Sequence, residues 1–261
     1  MRITISKSAK QNSLTILVLL LFCTGLYILI SKTDYPWQWY RVWEHIAVYD
    51  EGQWWAGALL FGLEQTIYIV ILSIIGATTI GIVLASASLS KGKLAQSASK
   101  LYTVLFRNTP ILVQIYCMYF LISPMFNMDR FVTGVLVLSL YESAFIGEII
   151  RGSILSVSKT QWDAGRALRL SQPVIVYKII MPQALRLMIA PLTNVSINLL
   201  KHSSIVSVIA VFDLTTAGRD IISETYIAME IWITVAVFYW LISASFSYVG
   251  RRIESHIKWS A

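Results

Sequence analysis

Between Ala56 and Ala85 the chain carries a single charged residue, Glu64, in thirty positions. A helix needs about 20 apolar residues to cross the hydrocarbon core of a bilayer. Inside hydrocarbon every backbone donor and acceptor must be satisfied within the segment, which leaves helices or a closed barrel. The run has no strand-like alternation of apolar and polar positions, so it predicts a membrane-spanning helix.

The same signal recurs along the chain. Leu14 to Ile30 is uncharged, Leu101 to Ile122 holds only Arg107, and Phe131 to Ile150 holds only Glu142 and Glu148. A fifth apolar stretch starts near Pro191 and runs towards Phe212, interrupted by Lys201 and His202. The last, Ile231 to Val249, is uncharged. The expected fold is an all-α polytopic transmembrane bundle of about six spans. Only 13% of the residues are charged, against about 25% in soluble domains, so a water-soluble globule of this size is excluded. The expected organisation is a first helix with an aromatic outer segment over 1–55, a membrane domain over 56–250 with a cytoplasmic loop at 156–190, and a basic tail over 251–261.

The net charge of +7 does not point to nucleic acid, because the cations form short clusters between apolar runs. Segments assigned to the inside hold 3, 3, 6 and 3 basic residues, and those assigned outside hold only Lys32, Arg41, Arg130 and Arg219. This bias places both termini in the cytoplasm. The start could also be a signal peptide, but no small-x-small cleavage site follows, so a retained helix is the preferred expectation. Residues 34–55 carry Tyr35, Trp37, Trp39, Tyr40, Trp43, Trp54 and Trp55, rings suited to the headgroup level at the outer interface or to a small ligand surface. Cys23 and Cys117 have neither metal-ligand nor redox spacing and read as packing residues. No repeat relates the halves, and no pair of histidines is spaced to hold zinc.

The largest basic excess lies in residues 151–186, six cations against Asp163. Strong helix formers run from Asp163 to Leu170, Ser171 and Pro173 break them, Val174 to Ile180 can form a second short helix, and Pro182 opens a third. A surface helix–turn–helix follows, resting on anionic lipid or on a protein partner.

This segment resembles the E-A-A loop of bacterial ABC importer permeases: Glu-Ala-Ala, three residues, Gly, nine residues, Ile, one residue, Leu-Pro. At the same spacing stand Asp163, Ala164, Gly165, Arg169, Ile179, Met181 and Pro182. Only Ala164, Ile179 and Pro182 keep the pattern's residue types; Asp163 is a conservative change, Gly165 a mild one, and Arg169 replaces the family glycine. FRNTPILVQIYCMYF, ESAFIGEIIRGSI, MPQALRLMIAPLTN and LLKHSSIVSVIAVFDLT extend the resemblance over roughly Gly62 to Val249 and are similar to permeases for polar amino acids.

The resemblance implies the type I ABC importer permease fold and an ATP-driven, binding-protein-dependent importer of the bacterial inner (plasma) membrane, of which this chain forms half the pathway. The helix around Arg166 to Gln172 would enter a groove of a cytoplasmic ATP-binding subunit dimer. The coupling set would be Asp163, Ala164, Gly165, Arg166, Ala167, Leu168, Arg169, Leu170 and Ser171. A second permease, identical or related, and a periplasmic or lipid-anchored amino-acid-binding protein complete the partners, with membrane lipid around them. The chain lacks the G-x-x-x-x-G-K-[ST] phosphate cradle, so it is expected to be no enzyme and to bind no cofactor or metal, with ATP on the partner.

Charged groups inside a bilayer usually face a cavity or a partner. Glu64, Glu142 and Glu148 are therefore substrate-path candidates, joined by the polar Asn194 and Asn198. Glu148 can instead pair with Arg151 one turn on. An anionic path would favour a basic amino acid. Arg107 and Lys201 either meet a substrate carboxylate or snorkel. A lipid-binding scaffold or channel is the competing class.

Overall fold

The computed structural model describes Leu20, Leu21, Thr24, Gly25 and residues 35–259, with side chains described as far as His256. The expected first span, Leu14 to Ile30, lies outside the described residues apart from those four positions, as do Cys23 and the end of the basic tail. The chain divides into two compact units, residues 1–39 and 40–261. In the first, Trp37 meets the edge of Tyr35 and stacks on Trp39.

The second unit opens with a short helix, Trp43–Ile46, and a two-stranded antiparallel hairpin, β1 (Ala47–Asp50) and β2 (Gln53–Ala56). Glu51 and Gly52 both have positive φ, 48° and 81°, the geometry of a two-residue turn that follows the strand twist. The sequence predicted no strand here. Tyr49 and Trp54 pair across the ladder with ring centres 5.1 Å apart. Gly57 then caps α1 (Ala58–Leu89). A Cβ on Gly57 would lie 2.4 Å from the His45 carbonyl oxygen, so only glycine lets the hairpin fold back over the helix start.

The run Leu101 to Ile122 is not one straight helix. It breaks by 106° between α2 (Lys93–Asn108) and α3 (Ile111–Cys117). Pro110 offers no N–H and pushes Thr109 into an extended conformation, φ −108° and ψ 132°. The Gln114 amide donates to the carbonyls of Phe106 and Thr109, each at 2.9 Å, closing the end of α2. A π turn, Met118–Ile122, and a 3-10 turn, Ser123–Phe126, complete the second arm. The lysines expected in a loop thus sit at or on an amphipathic helix. Cys117 is exposed rather than packed.

The helix α4 (Arg130–Leu155) is capped by Asp129, whose carboxylate accepts from the Val132 N–H at 2.7 Å. More than half of its apolar stretch is buried, 56%, against 17% for the last helix. It is the centre of the bundle and packs most extensively on α1. The contact needs small residues: a Cβ on Gly76 would reach Ser139, and one on Gly81 would reach Ile146.

After α5 (Lys159–Ala167) a continuous helical run, Gln172–Ile209, crosses the bundle. It contains a π turn, Ile175–Ile180, and α6 (Met181–Ser203). It therefore begins well before Pro191, where the sequence placed its start. Pro182 stands in the first turn of α6, where the sequence placed a helix start, but α6 follows directly on the π turn with no break between them. The amphipathic α7 (Leu214–Thr225) and α8 (Ala228–Trp259) finish the described chain.

Among the described residues four helices are long and apolar enough to cross a membrane, or five counting the bent pair. The chain is an all-α polytopic membrane protein, and about six spans accord with it.

Candidate functional site

Three places in the second unit carry chemistry: the loop helix α5, the polar middle of the span that contains α6, and a basic crevice beside α2.

Ser158 caps α5, its hydroxyl accepting from the Thr160 N–H at 3.3 Å. Trp162 packs on the cluster formed by Ile154, Val157, Ile175, Ile180, Ala184 and Met188. Gly165 is buried against Ile175, where a Cβ would lie 2.9 Å from Cγ1. These two residues fix the helix to the bundle. Leu168 stands out, 72% exposed, among the exposed Asp163, Ala164, Arg166, Ala167, Arg169, Leu170 and Ser171. Asp163 and Arg166 pair at 3.2 Å on this open surface.

The helix ends at Ala167, short of the Arg166 to Gln172 segment expected to be helical. Leu170 N–H donates to the Gly165 carbonyl at 3.1 Å and Arg169 N–H to the Arg166 carbonyl at 2.9 Å. That pair of bonds is a Schellman closure, and its left-handed residue is normally glycine. Here it is Arg169, with φ 54°. The position where the sequence departs from the family glycine is the one that needs glycine's freedom.

Glu142 lies near the middle of α4 and is buried. Its Oε1 is 2.7 Å from Nδ1 of His202, sixty residues away on α6. The Tyr141 ring meets the edge of that imidazole. His202 was not among the sequence candidates: it is a lone histidine in an apolar run, and nothing local marks its partner. One and two turns before it, Asn198 and Asn194 are exposed, as is Lys201. They extend along one side of α6 as a polar stripe. Asn194 borders a small cleft with Arg251 and Glu254 of α8. Glu64 is exposed on α1 and makes no ion pair among the described residues. The five path candidates are thus not one site.

Glu148 and Arg151 form the expected pair, bidentate at 3.0 and 2.8 Å. They border a crevice of about 450 Å³ with Gln96, Lys100, Thr103 and Arg107 of α2. At the opposite end of the bundle a wider cleft of about 1040 Å³ lies between Gln65, the Asn127–Phe131 turn and Ala210–Phe212. No group of His, Cys, Asp or Glu among the described residues can hold a metal ion.

Beside that cleft Asp213 caps α7. Its carboxylate accepts from the Thr216 N–H at 2.8 Å and from the Tyr239 hydroxyl at 3.3 Å. Thr66 of α1 accepts from the Leu214 N–H at 3.0 Å. Burial pushes the Asp213 carboxyl above its ordinary range, opposed by the hydrogen bonds from Thr216 and Thr215.

The family described as "Binding-protein-dependent transport system inner membrane component" matches residues 77–259. The glutamine transport system permease protein GlnP of Escherichia coli (strain K12) is 36% identical over 203 residues, 77% of this chain and 93% of that protein. The L-cystine transport system permease protein TcyB of Bacillus subtilis (strain 168) is 35% identical over 199 residues, 75% of this chain and 85% of that one. The crystal structure of an amino acid ABC transporter with histidines superimposes with a TM-score of 0.72 at 31% identity, covering 76% of this chain and 94% of that chain. An inward-facing MetNI methionine ABC transporter shares the fold, with a TM-score of 0.65 at 18% identity. The bent α2–α3 pair, the central α4, α5 and the spans after it lie within residues 77–259, and the chain belongs to the family of inner-membrane components of binding-protein-dependent transport systems.

Proposed function

We propose that this chain is the permease subunit of an ATP-driven importer for a neutral polar amino acid. Two copies, or this chain and a related one, enclose the path. The observation that carries the reading is the polar side of α6. Asn194, Asn198 and Lys201 are exposed in the middle and inner half of a span, and a charged side chain facing lipid there costs at least about 2.5–3.5 kcal/mol. Such a side belongs against water or a second subunit. The likeness to glutamine and L-cystine permeases supports the substrate class. The Glu142–His202 bond supports neutral over basic amino acids, because His202 already occupies a carboxylate oxygen that a cationic substrate would seek. Glu64 and Glu148 then play lesser parts, the second being held by Arg151.

The knob around Leu168 docks a separate ATP-binding subunit, which hydrolyses ATP. Asp163 to Ser171 form the coupling surface within the loop 156–190. Both termini lie in the cytoplasm, the hairpin and the 1040 Å³ cleft face outwards to an amino-acid-binding protein, and residues 1–55, 56–250 and 251–261 act as entry segment, transport domain and tail.

The test is uptake into proteoliposomes that hold the whole importer. Labelled glutamine is expected to enter with ATP and binding protein, and excess arginine or lysine to compete poorly. Preferred uptake of a basic amino acid would overturn the neutral assignment. ATP-independent flux would instead favour a channel.

A further inference from the structure

The amphipathic α2 divides into two stripes. Leu94, Leu101 and Leu105 are 85%, 61% and 55% exposed along one side. Gln96, Lys100, Thr103 and Arg107 fall on the other, at helical spacing, and face the 450 Å³ crevice. The helix is held in place independently of these groups. The Ser99 hydroxyl donates to the Leu84 carbonyl at 2.8 Å, and the Tyr102 hydroxyl to the Leu140 carbonyl at 2.9 Å.

Three cations meet in the crevice against one carboxylate. Arg151 is committed to Glu148. Arg107 stacks on the Phe145 ring at 5.2 Å and makes no ion pair among the described residues. Lys100 is likewise without an ion pair there. The crevice therefore carries an excess of two positive charges, and an anion is the ligand that balances it. A phosphate group fits the donor set, with Arg107 offering a fork of N–H groups and Lys100 a point charge.

That chemistry could arrive on a lipid or as free phosphate, and the helix itself decides between them. Leu94, Leu101 and Leu105 suit hydrocarbon, basic residues on the opposite side suit headgroups, and this combination marks a helix at the membrane interface. Val104, 46% exposed, forms the lip between the crevice and that apolar side. Acyl chains can pass over it while the headgroup stays inside. Basic pockets between membrane helices are suited to anionic headgroups.

We propose that the crevice between α2 and the inner end of α4 binds the phosphodiester headgroup of an anionic phospholipid through Lys100 and Arg107. This goes beyond the transport reading and stands or falls separately from it. Bound there, the lipid bridges the bent arm to the central helix of the bundle.

The experiment uses the full-length protein in nanodiscs of phosphatidylcholine mixed with phosphatidylglycerol, with retained lipid read by native mass spectrometry after release into detergent. At about 1 kcal/mol per basic residue, two cations give a preference for phosphatidylglycerol of roughly thirtyfold. The pair Lys100→Gln and Arg107→Gln should bring it near parity. The charge-preserving pair Lys100→Arg and Arg107→Lys should keep most of it, as should Lys178→Gln with Arg186→Gln elsewhere in the basic loop region. Equal retention of both lipids by the natural sequence would overturn the proposal, as would a preference that survives the glutamine pair. Displacement of phosphatidylglycerol by millimolar inorganic phosphate would assign the site to a soluble anion and overturn the lipid assignment.

Discussion

Arg169 holds a backbone conformation that costs a non-glycine residue on the order of 1–2 kcal/mol, at φ 54° in the closure of α5. Arg169→Gly is expected to recover about 1 kcal/mol of that. Hydrogen exchange of the amides that close the helix, Leu168 to Leu170, should slow about fivefold, by the same arithmetic. Unchanged exchange would mean that the arginine pays no strain. Asp213 gives a second expectation. Its raised pKa means the folded state binds the proton more tightly than the unfolded chain. That contribution is fully present below the ordinary carboxylate pKa and is lost as pH rises through the folded value. Asp213→Asn keeps a good cap and should flatten the dependence: thermal unfolding of the natural protein falls from pH 4 towards neutrality more steeply than that of the variant. At this scale the sequence was partly legible. Resemblance marked Arg169 as the departure, and one-turn spacing marked the Glu148–Arg151 pair. The Glu142–His202 bond was invisible, since only the packing of α4 on α6 joins residues sixty positions apart.

At the scale of elements, close helix contacts carry the architecture. A Cβ on Gly62 would press on the Asp213 carbonyl oxygen at 2.9 Å and on the Leu214 Cα at 3.0 Å, backbone that cannot move aside cheaply. Gly62→Ala should destabilise the protein by about 1–3 kcal/mol. Gly152, on α4, has open space around it, and Gly152→Ala should gain roughly 0.5–1 kcal/mol from helix propensity. Thermal unfolding of both in one detergent checks the contrast; equal effects would refute the packing argument. The spans α1, α4 and α8 were legible because long apolar runs with at most two charges have few alternatives. The break at Pro110 was signalled by the proline and by the lysines before it, but a hydropathy window averages over both. The hairpin was hidden because four-residue strands of Tyr and Trp look the same as an interfacial loop.

For the whole molecule, the exposed apolar knob of α5 lies on a basic surface and within reach of any subunit on that side. Leu168→Asp should lower co-purification of the ATP-binding subunit at least tenfold while leaving the thermal unfolding of the permease itself within about 0.5 kcal/mol, because the side chain is exposed. Retained complex formation would show that docking uses another surface. The hairpin belongs to the unit of residues 40–261 and precedes the stretch that the family model matches, residues 77–259.

The tight seat of Gly57 under His45 has a mechanical meaning. With no room for a Cβ and a 2.8 Å bond from the Gly57 N–H to the Ile46 carbonyl, the hairpin has no slack relative to the first turn of α1. It behaves as a pointer fixed to the end of a rod about 48 Å long. Any tilt of α1 would carry Trp54 and Trp55 with it, so their fluorescence would report the stroke once the other seven of the nine tryptophans are replaced.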